Sequence, residues 1–131
     1  MKLVRPAELT NTAPYAYAAV SPPGVRLVFT AGACPLDADG ETVAPGDIPT
    51  QTEQVMQNLR IALQAAGADL DDVLKTTVYV ASSDRADLVT AWNVLKRHFG
   101  DHDAPSTLLG VSTLGYPDQL VEVEAVAAVG E

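Results

Sequence analysis

A strictly alternating segment near the C-terminus constrains the fold of this 131-residue chain more than any other feature. Glu122 and Glu124 alternate there with apolar residues, and successive side chains of a β-strand point to opposite faces. The apolar face consists of Val121, Val123, Ala125, Ala127 and Val129. Because an all-apolar face must cover a core, the pattern predicts a half-buried strand. The two carboxylates lie on the face away from the core, about 7 Å apart.

Four further strands are predicted from short apolar segments that end at turn residues. Residues 16–21 and 26–33 flank a Ser-Pro-Pro-Gly turn, which predicts a hairpin between them. Another strand is predicted at residues 73–81. The fourth predicted strand lies before the Gly-Tyr-Pro-Asp turn that leads into the alternating C-terminal strand.

Two helices are predicted from apolar stripes at helical spacing. The first spans residues 50–66, and its N-terminus is assigned to a capping box that begins at Thr50. The second spans residues 85–99, with Ser83 or Asp84 as its N-cap. The order strand, helix, strand around this second helix predicts a crossover that places the two flanking strands parallel.

These elements predict an α+β domain in which two helices cover one side of a sheet of five or six strands. The other side of the sheet then has no helix to cover its apolar residues. An uncovered apolar face needs a partner or favours aggregation. The sequence therefore predicts that the protein is not a monomer.

Composition restricts the classes of partner. The formal net charge is −9, with 17 acidic against eight basic residues, so a phosphate backbone would be repelled and nucleic acid is not expected as a partner. No apolar run is long enough for a membrane span, and no signal core follows the N-terminus, which predicts a cytoplasmic protein without a membrane partner. Cys34 is the single cysteine and is expected to be a small buried apolar residue.

Several short motifs stand in one order along the chain: Pro14-Tyr15, the Phe29 to Pro35 segment, Gln51-Thr52, Asn58-Leu59, Lys75 to Val80, Pro105-Ser106, and the strand that carries Glu122. Together they resemble the RidA (YjgF-type) enamine/imine deaminase family over nearly the whole chain. The resemblance implies a single domain over residues 1–131 with a chorismate-mutase-like α+β fold. It also implies a homotrimer with ligand pockets between subunits.

The resemblance also implies a site. In the family, an arginine after the Pro105 position binds a substrate carboxylate, and a glutamate on the last strand positions the water that attacks an imine carbon. Here Thr107 stands at the arginine position and Glu122 at the glutamate position. A threonine hydroxyl offers one neutral hydrogen bond in place of a bidentate, charge-assisted pair. Either another cation binds the carboxylate, or the substrate has none.

The same comparison assigns the walls of the pocket to Tyr15, Gly32, Ala33, Leu109 and Trp92. Most of these side chains are apolar, which indicates a pocket less polar than is usual in the family. Trp92 also fits the apolar stripe of the second helix, so a role in the core is an alternative. No metal-ligand spacing or cofactor motif is recognised, and no cofactor is expected.

Three functions follow as hypotheses. The first is hydrolysis of an imine or enamine, with Glu122 as the catalytic carboxylate and a substrate that either carries or lacks an α-carboxylate. The second is a non-catalytic trimer that binds a small molecule or regulates through it, with Glu122 in a structural role, because fold does not fix function. The third is RNA cleavage, which the acidic charge disfavours.

Overall fold

The computed structural model describes residues 1–130, which contain six strands, two α-helices and one short 3-10 turn. The strands are β1 (Lys2–Val4), β2 (Ala18–Val20), β3 (Arg26–Phe29), β4 (Val73–Val80), β5 (Ser106–Gly110) and β6 (Val121–Val129). The helices are α1 (Ile48–Ala65) and α2 (Arg85–Phe99), and the 3-10 turn Leu70–Asp72 precedes β4.

The six strands form two sheets rather than the single sheet of five or six strands that the sequence predicts. The larger sheet has the order β3-β6-β4-β5, and β1 pairs with β2 in a separate two-stranded sheet. The predicted hairpin is wrong, because β2 pairs with β1 and β3 pairs with β6. Instead of β2, the partner of β3 is the long strand β6 near the C-terminus. The predicted parallel pair around α2 is confirmed as β4 with β5.

The helices begin and end at residues with clear physical roles. The N-cap of α1 is Asp47, whose carboxylate accepts from the Thr50 amide, so the predicted cap at Thr50 is wrong by one turn. Pro49 explains the shift, because proline fits the first turn of a helix, where its missing N–H is not needed. For α2 the predicted bounds are confirmed, with Asp84 as N-cap and Gly100 at a φ of 58° after the last turn.

The core lies between the two helices and one face of the larger sheet. From β6, this face buries Val121, Val123, Ala125 and Ala127 completely or nearly so, as the alternating pattern predicts. The helices contribute buried side chains that include Val55, Leu59, Leu63, Ala91, Leu95 and Phe99. Among residues 1–130, no helix is long and apolar enough to cross a membrane.

Among residues 1–130, no helix lies on the opposite side of the larger sheet, which we call the open face. Strand register and alternation place on it Leu27, Phe29, Lys75, Thr77, Tyr79, Thr107, Leu109, Glu122, Glu124 and Val126. The side chains of Leu27 and Phe29 are 51% and 72% exposed in the single chain. The open face thus combines an apolar end at β3 with a polar centre on β4 and β6.

Candidate functional site

The Glu122 carboxylate lies against the backbone of Gly32 and has two side-chain partners. Gln119 Nε2 donates to Oε1 over 3.1 Å, and the Cys34 thiol lies 3.3 Å from the same oxygen. A Cβ atom on Gly32 would stand 2.1 Å from Oε2. Glycine is therefore the residue type that leaves room for this carboxylate, and the predicted site residues Gly32 and Glu122 do meet.

Cys34 differs from its prediction as a buried apolar residue. It is half-buried, and its thiol faces the Glu122 carboxylate. Burial, together with the hydrogen bond to Glu122 and its negative charge, raises the pKa of the Cys34 thiol to about 11. Since the thiolate is the nucleophilic form, the side chain serves here as a hydrogen-bond donor rather than as a nucleophile.

Helix α1 holds both segments that meet at Glu122. Asn58 Nδ2 donates to the carbonyls of Cys34 and Leu36, each over 2.9 Å. About two turns earlier on the helix, the fully buried Gln51 donates to the Asp118 carbonyl over 2.9 Å and accepts from the Leu120 amide over 2.8 Å. The two amide side chains thereby fix the backbone on either side of the carboxylate.

Ala33 joins this cluster through its backbone. It forms an isolated bridge with Val123, in which its amide donates over 2.7 Å and its carbonyl accepts over 3.1 Å. The bridge continues the pairing of β3 with β6 past the end of β3. Its effect is to hold Gly32 beside Glu122, so Ala33 positions the site through main-chain contacts.

Thr107 lies on β5, the edge strand of the sheet, and its side chain has a cationic partner. Lys75 Nζ donates to Thr107 Oγ1 over 2.6 Å. The register pairs Thr77 with Thr107, so Lys75 lies two residues earlier on the same face of β4. Lys75 is not among the site residues that the sequence predicts. The alternation of β4 nevertheless places Lys75 on the open face.

A concave region of about 420 Å³ lies beside β5, and we call it the edge groove. It is lined by Pro14, Tyr15, Trp92, Ser106, Thr107 and Leu108. The rings of Tyr15 and Trp92 meet edge to face with centroids 6.2 Å apart. Trp92 also packs against the core from α2, as its place in the apolar stripe predicts.

An ion-pair cluster holds the segment that carries Tyr15. Arg5 donates to the Tyr15 carbonyl over 2.9 Å and to Asp103 over 2.6 Å. Asp103 also pairs with Lys96, and this lysine, with Arg5, lowers the pKa of the Asp103 carboxyl. The cluster fixes the N-terminal segment to the end of α2, next to the edge groove.

The predicted site residues fall into two groups within one chain. Gly32, Ala33 and Glu122 form one group, while Tyr15, Trp92 and Thr107 line the edge groove. Strand β4 lies between β6 and β5, so the Cα atoms of Glu122 and Thr107 are roughly 12 Å apart at ordinary strand spacing and rise. Leu109 lies between the groups on the open face, level with Tyr79 and Glu122.

The second carboxylate of β6 has a different setting. Tyr79 donates to Glu124 Oε1 over 2.5 Å, and this hydrogen bond raises the pKa of the Tyr79 hydroxyl. Glu124 therefore makes a cross-strand contact. Its neighbour on the same face, Glu122, lies against Gly32 instead. Within residues 1–130, no group of three or more His, Cys, Asp or Glu side chains is arranged to hold a metal ion.

The four-stranded sheet, with two helices on one side and the open face on the other, defines an α+β domain. Within it, the family model described as Endoribonuclease L-PSP matches residues 6–129. The chain belongs to this family, which is the RidA (YjgF-type) family that the sequence motifs indicate.

Relatives and solved structures agree with this assignment. A RutC family protein of Pyrococcus horikoshii is 38% identical over 102 residues, which are 78% of this chain and 79% of the relative. A 2-iminobutanoate/2-iminopropanoate deaminase of Rattus norvegicus is 29% identical over 130 residues, or 98% of this chain and 93% of the relative. The crystal structure of a Rid family protein of unknown function from Yersinia pestis has a TM-score of 0.86 and 30% identity over 98% of both chains.

Proposed function

We propose that this protein hydrolyses a small imine or enamine, with Glu122 as the general base. The observation that carries the proposal is the Glu122 carboxylate, which is held by Gln119 and Cys34 against the bare backbone of Gly32. A carboxylate fixed in this way can accept a proton from a water molecule without first reorganising. The deaminases among its relatives support the reaction type.

The proposed reaction balances as the addition of water to a carbon–nitrogen double bond. Glu122 accepts a proton from water while the oxygen attacks the imine carbon, and it returns this proton to the imine nitrogen, which gives a tetrahedral aminoalcohol. Glu122 then transfers the hydroxyl proton of the aminoalcohol to the amino nitrogen, the carbon–nitrogen bond breaks, and ammonia leaves with a carbonyl product. An enamine reaches the same path after it tautomerises to the imine. No redox step and no cofactor are required.

The complete site is proposed to lie between two copies of the chain. In one chain the Glu122 group and the edge groove are about 12 Å apart, which is too far for one small ligand to contact both. An edge groove from a second copy, placed over the Glu122 group, would bring Tyr15, Trp92 and Thr107 to the carboxylate. The exposed Leu27 and Phe29 give the open face the apolar surface that self-association needs. A homotrimer is the proposed assembly.

The test is hydrolysis of 2-iminobutanoate and 2-iminopropanoate, generated in situ, by the wild type and two matched variants. Glu122→Gln is expected to lower kcat by about 10²-fold or more, as for the loss of a general base. Glu124→Gln removes the neighbouring carboxylate of the same strand and face, and is expected to keep most of the activity. Equal activity in the wild type and Glu122→Gln would contradict the proposal.

A second function, binding without turnover, is favoured by the missing arginine at position 107. It predicts saturable binding of a small metabolite that the protein does not convert. Thr107→Arg separates the two outcomes further. Turnover of 2-imino acids by this variant alone would support the placement of the pocket and would indicate that the natural substrate has no carboxylate. No turnover by either protein would favour the binding function.

A further inference from the structure

The open face carries a cation directly beside the residue that replaces the family arginine. Lys75 Nζ lies 2.6 Å from Thr107 Oγ1, and the Lys75 residue is half-buried even in the single chain. Lys75 borders a groove of about 200 Å³ on the open face. The groove is lined by Phe29, Thr30, Lys75, Thr77, Glu124, Ala125 and Val126.

The pair has hydrogen-bond donors left to offer. An ammonium group has three N–H donors, of which Thr107 Oγ1 occupies one. The threonine oxygen acts as an acceptor in that contact, so its own O–H remains free to donate. Lys75 and Thr107 together therefore present two adjacent donors, one charged and one neutral, to a ligand on the open face.

Within residues 1–130, no carboxylate oxygen lies within 4.0 Å of the Lys75 ammonium group. The acidic group that borders the same groove is Glu124, and its Oε1 accepts from Tyr79. A lysine without an ion-pair partner, oriented by a single hydroxyl, is the arrangement that attracts a small anion.

We propose that Lys75 and Thr107 together bind the carboxylate of the substrate, in place of a single arginine. The inference rests on the proposed function and specifies its substrate class: a small 2-imino acid or its enamine, rather than an uncharged imine. Lys75 supplies the charge and one hydrogen bond, and the Thr107 hydroxyl supplies the second. The arginine is thus replaced by two side chains from neighbouring parallel strands.

The first experiment measures binding of 2-oxobutanoate by calorimetry, with the uncharged 2-butanone as the comparison probe. Lys75→Met is expected to weaken 2-oxobutanoate binding by about tenfold or more, the range for loss of a charge-assisted hydrogen bond. Thr107→Val, which keeps the shape but removes the hydroxyl, is expected to weaken it by about threefold to tenfold. Lys75→Arg should retain most of the affinity, and Lys2→Met, a lysine on β1, is the matched control.

The second experiment separates this inference from the proposed function. For 2-iminobutanoate, Lys75→Met is expected to raise KM with a smaller change in kcat, whereas the control Lys2→Met is expected to leave both unchanged. Unchanged 2-oxobutanoate affinity in both Lys75→Met and Thr107→Val would overturn the inference, as would an absence of binding to the wild type. Binding that depends on Lys75 without any turnover would instead contradict the proposed function and leave the anion site in place.

Discussion

The two faces of the larger sheet differ in what determines them. On the covered face, β6 and β4 present valines and alanines that the helices bury completely or nearly so, and shape and apolar area decide the packing. On the open face, the same strands present Glu122, Glu124, Tyr79 and Lys75, each with a specific polar partner. The covered face stabilises the fold, and the open face holds the polar groups of the proposed site.

The largest expected effect concerns the apolar end of the open face. Phe29→Glu places a charge where the side chain is 72% exposed in the single chain. If the open face joins copies of the chain, this charge should convert the assembly to monomers, because a buried unpaired charge is too costly. Light scattering after size-exclusion chromatography measures the mass. Ile61→Glu, on the 64% exposed outer side of α1, is the control and should leave the assembly intact.

The next prediction compares two valines of β6 that point to opposite faces. Val123 is 0% exposed on the covered face, whereas Val126 is half-buried on the open face. Val123→Ala is expected to lower the free energy of unfolding by about 2–3 kcal/mol, from lost burial plus a cavity. Val126→Ala is expected to lower the free energy of unfolding by about half of that amount or less. Denaturant unfolding at matched protein concentration tests the difference, and equal losses would mean that the two faces are packed alike.

A smaller effect on stability, but a clear effect on geometry, is expected from Gly32→Ala. The new Cβ would stand 2.1 Å from Glu122 Oε2, so the carboxylate must swing away from Gln119 and Cys34. Because the displaced atoms end a flexible side chain, the free energy of unfolding should change by less than about 1 kcal/mol. A crystal structure of the variant should show the moved carboxylate. Gly115→Ala, where a Cβ meets open space, serves as the control.

The smallest expected effect is a change in the titration of Cys34. Burial raises its pKa to about 11, and the hydrogen bond and charge of Glu122 contribute. A neighbouring negative charge favours the neutral thiol, so Glu122→Gln should lower the pKa of Cys34 and speed its alkylation at a given pH. Iodoacetamide labelling as a function of pH is specific, because the chain has one cysteine. Glu124→Gln should leave the profile unchanged, and an identical profile in Glu122→Gln would contradict the contact.

The contrast between the faces also explains what sequence could predict. The alternation of β6 follows from local geometry alone, so the outward position of Glu122 and the inward position of Val123 are both predictable. The partner of β3 is not, because pairing with β6 joins residues about a hundred positions apart and competes with a plausible hairpin. Lys75 was missed for a related reason. Its contact with Thr107 depends on the register of β4 against β5, which the sequence does not state.

The two bonds from Asn58 to Cys34 and Leu36 have a consequence for how this scaffold can be modified. They fix the chain just before a turn in which the Asp37 carboxylate accepts from the amides of Asp39 and Glu41. Asp47 fixes the chain again as the cap of α1. Exposed segments anchored at both ends tolerate added residues. The tip at Asp39 and Gly40 is therefore a natural graft point, where a tag or a recognition peptide could be displayed while the backbone beside Glu122 keeps its position.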